Sequence, residues 1–126
     1  MEKQVRVLVA NRPKLMRELI LETLEDQPGI QIVGEVSDDN EIPARVGQTS
    51  PDLLVIALDE AGERPQICET VLREHPQLRI IAVASDQNRS VYYWASFNIH
   101  SNDIETSEEG FLAAVRKITT GGSLAS

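Results

Sequence analysis

Leu53-Leu54-Val55-Ile56-Ala57-Leu58 is an unbroken apolar run between two polar turns, Thr49-Ser50-Pro51-Asp52 before it and Asp59-Glu60-Ala61-Gly62-Glu63 after it. So short a run, without polar alternation, reads as a strand covered on both faces. Val5-Arg6-Val7-Leu8-Val9-Ala10 reads the same way and stops at Asn11-Arg12-Pro13. Such strands belong to parallel sheets, where ligands and chemistry gather at the carboxyl ends. Neither strand ends on a carboxylate. The first gives way to Asn11 and Arg12, and the second passes through Ala57 before the first acid, Asp59.

Outward from these two strands, apolar runs alternate with amphipathic stretches. After Pro13, which suits the first position of a helix, Leu15, Met16, Leu19, Ile20 and Leu24 recur at helical spacing until Gln27-Pro28-Gly29. Ile30–Val36 reads as a second strand. Ser37-Asp38-Asp39-Asn40 supplies N-caps for a short helix through Ala44, Val46 and Gln48, with Pro43 in its first turn. A third helix is expected from about Pro65 to Glu74, with Ile67, Cys68, Val71 and Leu72 inward and His75-Pro76 ending it. Arg79–Ala84 is a fourth strand, Ser90–Phe97 a helix, and Ile99–Ile104 a fifth strand that is polar for its place. Thr106 and Glu109 form a capping box for a last helix carrying Phe111, Leu112, Val115 and Ile118, stopped by Gly121-Gly122. Five strand–helix units with right-handed crossovers give an α/β, doubly wound, flavodoxin-like (βα)5 fold, with a parallel sheet in the order 2-1-3-4-5.

A chain of 126 residues, 41% hydrophobic and 25% charged, suits a single domain. That domain is expected over residues 1–121, with 122–126 opening a linker. The net charge of −8 argues against direct nucleic-acid binding, which relies on Lys and Arg facing phosphates. No apolar stretch reaches the ~20 residues of a membrane span. A single cysteine, Cys68, excludes an internal disulfide and fits a reducing cytoplasm. No residue spacing matches a metal motif, a dinucleotide fingerprint or a phosphate loop, so no cofactor is expected.

Several segments together resemble the receiver domain of two-component response regulators, in the branch with a helix-turn-helix output. They are Val5–Ala10, Gln31-Ile32-Val33-Gly34-Glu35-Val36, Ser50-Pro51-Asp52-Leu53-Leu54-Val55-Ile56, Glu74-His75-Pro76-Gln77-Leu78-Arg79-Ile80-Ile81, Ala113-Ala114-Val115-Arg116 and Gly121-Gly122-Ser123. The resemblance implies a phosphoaccepting aspartate at the end of strand three, two acids after strand one that hold magnesium, a Thr or Ser ending strand four and a Lys ending strand five. Those positions fall on Ala57, Asn11 and Arg12, Ala84, and Ile104. Ala57 is no nucleophile, Arg12 places a cation where a metal would sit, and Ala84 and Ile104 cannot bond phosphate oxygens. The resemblance therefore implies a degenerate receiver without phosphotransfer, and no enzyme.

Three further readings stay open. Asp59 could act as a shifted phosphoacceptor, or Asp59 and Glu60 could pair with Arg12 as a fixed tie. Arg12, Lys14 and Arg17 could form an anion site at the start of the first helix. Tyr92, Tyr93, Trp94 and Phe97 fall within six residues, and on a short helix they could not all face inward. They read as an interface for a protein partner or a second copy.

Overall fold

The computed structural model describes residues 4–58, 65–84, 89–95, 99–104 and 108–119. Its elements follow in the order β1 (Val5–Ala10), α1 (Lys14–Glu25), β2 (Ile30–Glu35), a 3-10 turn (Asp39–Glu41), α2 (Ile42–Thr49), β3 (Leu53–Ala57), α3 (Gln66–Glu74), β4 (Arg79–Ala84), β5 (Arg89–Ala95), β6 (Ile99–Ile104) and α4 (Glu108–Thr119). They build one sheet in the order β2-β1-β3-β4-β5-β6. The first four strands are parallel, as the continuous apolar runs require.

The sheet separates two cores. On one face Leu8, Ala10, Leu54, Ile56, Ile80 and Ala82 pack against Ile42 and Val46 of α2 and Cys68, Val71 and Leu72 of α3. On the other, Val5, Val7, Val9, Leu53, Val55 and Ile81 pack against Ile20 and Leu24 of α1 and Phe111, Leu112 and Val115 of α4. Alternate residues of each central strand thus supply opposite cores, which is why no polar position interrupts them. Gly29 takes a left-handed φ of +83° between α1 and β2, a conformation that glycine adopts without steric penalty, and its carbonyl accepts from Val5 N–H.

The fifth and sixth strands correct the sequence-based expectation. The segment expected as a helix from Ser90 is β5, antiparallel to β4. Ile99–Ile104 is a strand as expected, but it is a sixth one, antiparallel to β5. The sheet is therefore not the five-stranded parallel one. The physical reason lies in the run Val91-Tyr92-Tyr93-Trp94, whose β-branched and aromatic side chains favour a pleated surface. Val91 and Tyr93 enter the α2–α3 core, while Tyr92 and Trp94 enter the α1–α4 core. β6 is polar because it borders the sheet: His100, Ser101, Asn102 and Asp103 are all exposed.

Smaller differences concern the helices. Leu15 and Leu19 point outward from α1, at 68% and 50% exposure, while Arg17 is buried. Pro13 is the residue before α1 rather than its first. Asp38 caps the 3-10 turn ahead of α2 by accepting from the Asn40 backbone N–H. The Thr106 end of the expected capping box and the glycines at 121 and 122 lie outside the described residues, as does the expected domain boundary. Among the described residues no helix is long and apolar enough to cross a membrane.

Candidate functional site

The carboxyl ends of β1, β3 and β4 lie side by side. Ala10 pairs with Ile56, and Ala57 pairs with Val83. Asn11, the first residue beyond β1, is fully buried. Its side-chain Nδ2 donates to the Ile56 carbonyl at 2.8 Å, which ties the turn to β3. Its Oδ1 is the one buried side-chain polar atom without a hydrogen-bond partner among the described residues. The Asn11 carbonyl accepts from Arg17 Nη1 at 3.2 Å, and Arg17 Nε donates to Glu35 Oε1 at 2.8 Å. A polar chain thus runs Glu35–Arg17–Asn11–Ile56 and joins β2, α1, the first turn and β3.

Arg12 turns the other way, toward the 3-10 turn. Its Nε and Nη2 meet Asp39 Oδ1 and Oδ2 at 3.1 and 2.9 Å, a two-pronged pair with both side chains about half exposed. The basic residues of the first turn therefore do not converge. Arg12 faces Asp39, Lys14 lies 3.9 Å from Glu18, and Arg17 faces Glu35. Each cation has a carboxylate of its own. Neither the Arg12–Asp39 nor the Arg17–Glu35 contact could be read from spacing, because each joins segments far apart in the chain. Asp59 and Glu60 lie outside the described residues.

A cleft of about 260 Å³ opens at this end of the sheet, lined by Arg12, Asp39, Asn40, Ile42, Ile56, Ala57, Pro65, Gln66 and Ile67. Its lining mixes aliphatic side chains (Ile42, Ile56, Ala57 and Ile67) with polar ones (Arg12, Asp39, Asn40 and Gln66). No group of three or more metal-ligating side chains occurs among the described residues.

Ile104 is not part of this cleft. The strand register forms one lateral row, Ala57–Val83–Ser90–Ile104. Three inter-strand steps of ~4.8 Å put Ile104 about 14 Å from Ala57. The inserted β5 is the cause: it occupies the place beside β4 that a fifth parallel strand would take. Ala84 remains beside the site, at the end of β4.

The aromatic group sits in the sheet rather than on a helix surface. Tyr92 and Tyr93 are buried on opposite faces, and Trp94 is half-buried. Trp94 meets Tyr92 edge-on, with ring centroids 5.6 Å apart, and stacks on His100 of β6 at 5.1 Å. Burial raises the Tyr92 phenol above its usual value of 10.0, against the opposing charge and hydrogen bond of Arg79. Phe97 lies outside the described residues.

The architecture, a mixed α/β, flavodoxin-like fold, is similar to that of response-regulator receiver domains. The receiver domain of the response regulator NarL from Mycobacterium tuberculosis superposes with a TM-score of 0.57 at 21% identity, over 66% of this chain and 68% of that one. A LuxR-family two-component response regulator from Aurantimonas sp. SI85-9A1 gives 0.54 at 23% identity, over 62% and 56%. RcsB from Salmonella typhimurium gives 0.58 at 20% identity, over 65% and 43%. In sequence, the chain is 29% identical over 80 residues to the response regulator GacA of Pseudomonas viridiflava. That match covers 63% of this chain and 37% of GacA, so the chain spans little more than a third of that relative. No family model matches. The fold is similar to that of receiver domains, and the sequence likeness is to a response regulator.

Proposed function

We propose that this chain is an atypical receiver domain that passes on a signal through protein contacts without accepting a phosphoryl group. The observation that carries this reading is the pair of side chains at the ends of β1 and β3. Ala57 offers no nucleophile, and Asn11 is committed through its amide to the Ile56 carbonyl. Phosphoryl transfer needs an attacking oxygen and a way to neutralise charge. Ala57 lacks the first, and the neutral Asn11 with the Asp39-paired Arg12 argues against magnesium at this point. The Glu35–Arg17–Asn11–Ile56 chain supports a site held in one arrangement.

The partner is a second copy of the chain or another signalling protein, in the cytoplasm, and this domain itself touches no nucleic acid. An output domain that binds DNA is the natural companion, because the relatives extend well beyond the matched region. The domain is assigned to residues 1–121, with a linker from 122.

Incubation with magnesium and radiolabelled acetyl phosphate tests this reading. The expected outcome is no covalent label, and no magnesium-dependent spectral change with beryllofluoride. Label that stays on the denatured chain overturns it, and loss of that label in Asp59→Ala would assign the acceptor to Asp59. Light scattering then tests self-association: a mass twice that of the chain supports the dimer, and a monomer at all concentrations removes it.

A further inference from the structure

We infer that the outer face of α1 pairs with the same face of a second copy of the chain, the two helices running antiparallel. The inference rests on the reading that this domain acts through protein contacts, and it names the surface and the partner. The aromatic group expected as an interface lies in the sheet, with Tyr92 and Tyr93 buried.

α1 is held from its inner side. Ile20 and Leu24 pack in the core, and the buried Arg17 bonds Glu35 and the Asn11 carbonyl. The opposite side carries Leu15 and Leu19, the exposed large apolar side chains among the described residues. At 3.6 residues per turn they lie one above the other, and the exposed Glu22 continues the same stripe. They form one apolar strip rather than two scattered residues.

The charges beside the strip select what covers it. Lys14 stands at the amino end of α1, Glu18 and Glu22 follow, and Glu25 closes the helix, with no acid in the first turn and no base in the last. This order runs against the helix dipole, which favours acids at the amino end and bases at the carboxyl end. A second copy laid antiparallel reverses that relation. A two-fold axis keeps the same flank of both helices on one side. With Leu15 opposite the partner's Leu19, each Lys14 then falls between the partner's Glu18 and the partner's Glu22, about 3 Å along the axis from either. Within its own copy Lys14 is 3.9 Å from Glu18, which leaves its ammonium free to meet further carboxylates. A parallel pair would set Lys14 against the partner's Lys14. A helix of 12 residues is about 18 Å long, less than a stable interface needs, so the pairing is weak and concentration-dependent.

Light scattering and sedimentation equilibrium from micromolar to millimolar chain test the pairing. The apparent mass should rise from that of one chain toward that of two. Leu15→Glu/Leu19→Glu, at exposed positions, should fold normally by circular dichroism and stay monomeric. Lys14→Glu should weaken association by about tenfold or more, because like charges then face each other, and so should Glu18→Lys/Glu22→Lys. Mixed in equal amounts, these last two variants should associate with each other at least as well as the parent. A parent that stays monomeric up to millimolar concentration overturns the proposal and leaves the face to a different protein. So does an undiminished dimer in Leu15→Glu/Leu19→Glu, which would place self-association elsewhere, or a charge-swapped mixture that stays monomeric. These readouts are separate from phosphoryl labelling, so a labelled chain would defeat the proposed function without deciding the α1 pairing.

Discussion

Asn11 Nδ2 donates to the Ile56 carbonyl across 2.8 Å at a position with no solvent exposure. The bond joins the ends of β1 and β3, and it requires an amide rather than a carboxylate. Asn11→Asp would set a carboxylate oxygen against a carbonyl oxygen in a dry site. We expect it to destabilise the fold by about 2–3 kcal/mol at neutral pH, at least as much as Asn11→Ala, because a buried polar group without a partner carries its full desolvation penalty. A carboxyl so placed has its pKa raised in the folded state. The stability it loses at neutral pH should therefore return as acid protonates it, since the protonated form can donate to Ile56. Urea unfolding at neutral and mildly acidic pH reads both effects. A variant as stable as the parent at neutral pH would show that the amide is not needed.

Arg17 makes the next link. Its guanidinium reaches Glu35 with Nε and the Asn11 carbonyl with Nη1, from a buried position on α1. The Glu35 side chain is 49% exposed, so the charge pair itself contributes little, and Glu35→Gln should cost under about 1 kcal/mol. Arg17→Ala should cost about 2–3 kcal/mol, because it strands a buried carbonyl and removes the packed stem of the side chain. Arg17→Lys should recover little, since one ammonium cannot span two acceptors as the planar fork does. Chemical denaturation of the three variants gives the order directly. Equal losses in Glu35→Gln and Arg17→Ala would move the weight onto the charge pair.

The first four strands were legible because each is a short apolar run between turn residues, and the flanking helices because their apolar residues recur at helical spacing. Leu15 and Leu19 fit that spacing yet lie outside, while Arg17 goes in. Only the tertiary contacts with Asn11 and Glu35 explain the exchange. The missed element, β5, shows the limit of periodicity. Val91-Tyr92-Tyr93-Trp94 is a short apolar run with both faces covered, as in β1 and β3, but its length suits a helical turn as well as a strand. Regular strand–helix alternation then favoured a helix over the β-preference of the side chains. At the cleft, the neutral side chains of Asn11, Ala57 and Ala84 could be read directly. The place of Ile104 could not, because it depends on the strand inserted before it. Nor could Asp39 be found as the partner of Arg12, since its segment read only as a helix cap.

Tyr92 makes the fold sensitive to alkali. Burial raises its phenol above 10.0, the opposing Arg79 notwithstanding. Below that pH the phenol is protonated in both the folded and unfolded chains, and its contribution is constant. Above it the unfolded chain releases the proton while the folded one retains it. Stability therefore falls as pH rises from about 10 toward the higher folded value. Tyr92→Phe removes the ionisable group, so its melting temperature should decline less steeply over that interval than that of the parent. Parallel slopes in the two proteins would mean that the phenol ionises as readily folded as unfolded.

Trp94 and His100 test the hairpin that replaced the expected helix. They are cross-strand partners in the β5–β6 register, with rings stacked at 5.1 Å and 20° from parallel. Trp94 also meets Tyr92 in an edge-type contact, with ring centroids 5.6 Å apart. Trp94→Ala should cost about 3 kcal/mol from lost packing, and His100→Ala about 1 kcal/mol. The double variant should lose less than the sum, with a coupling of about 0.5–1 kcal/mol, as expected for contacting rings. His100→Ala uncovers one face of the only tryptophan, so its emission should shift to the red. Strictly additive losses with an unchanged spectrum would mean that the two rings do not meet, and the pairing of β5 with β6 would then need a different register.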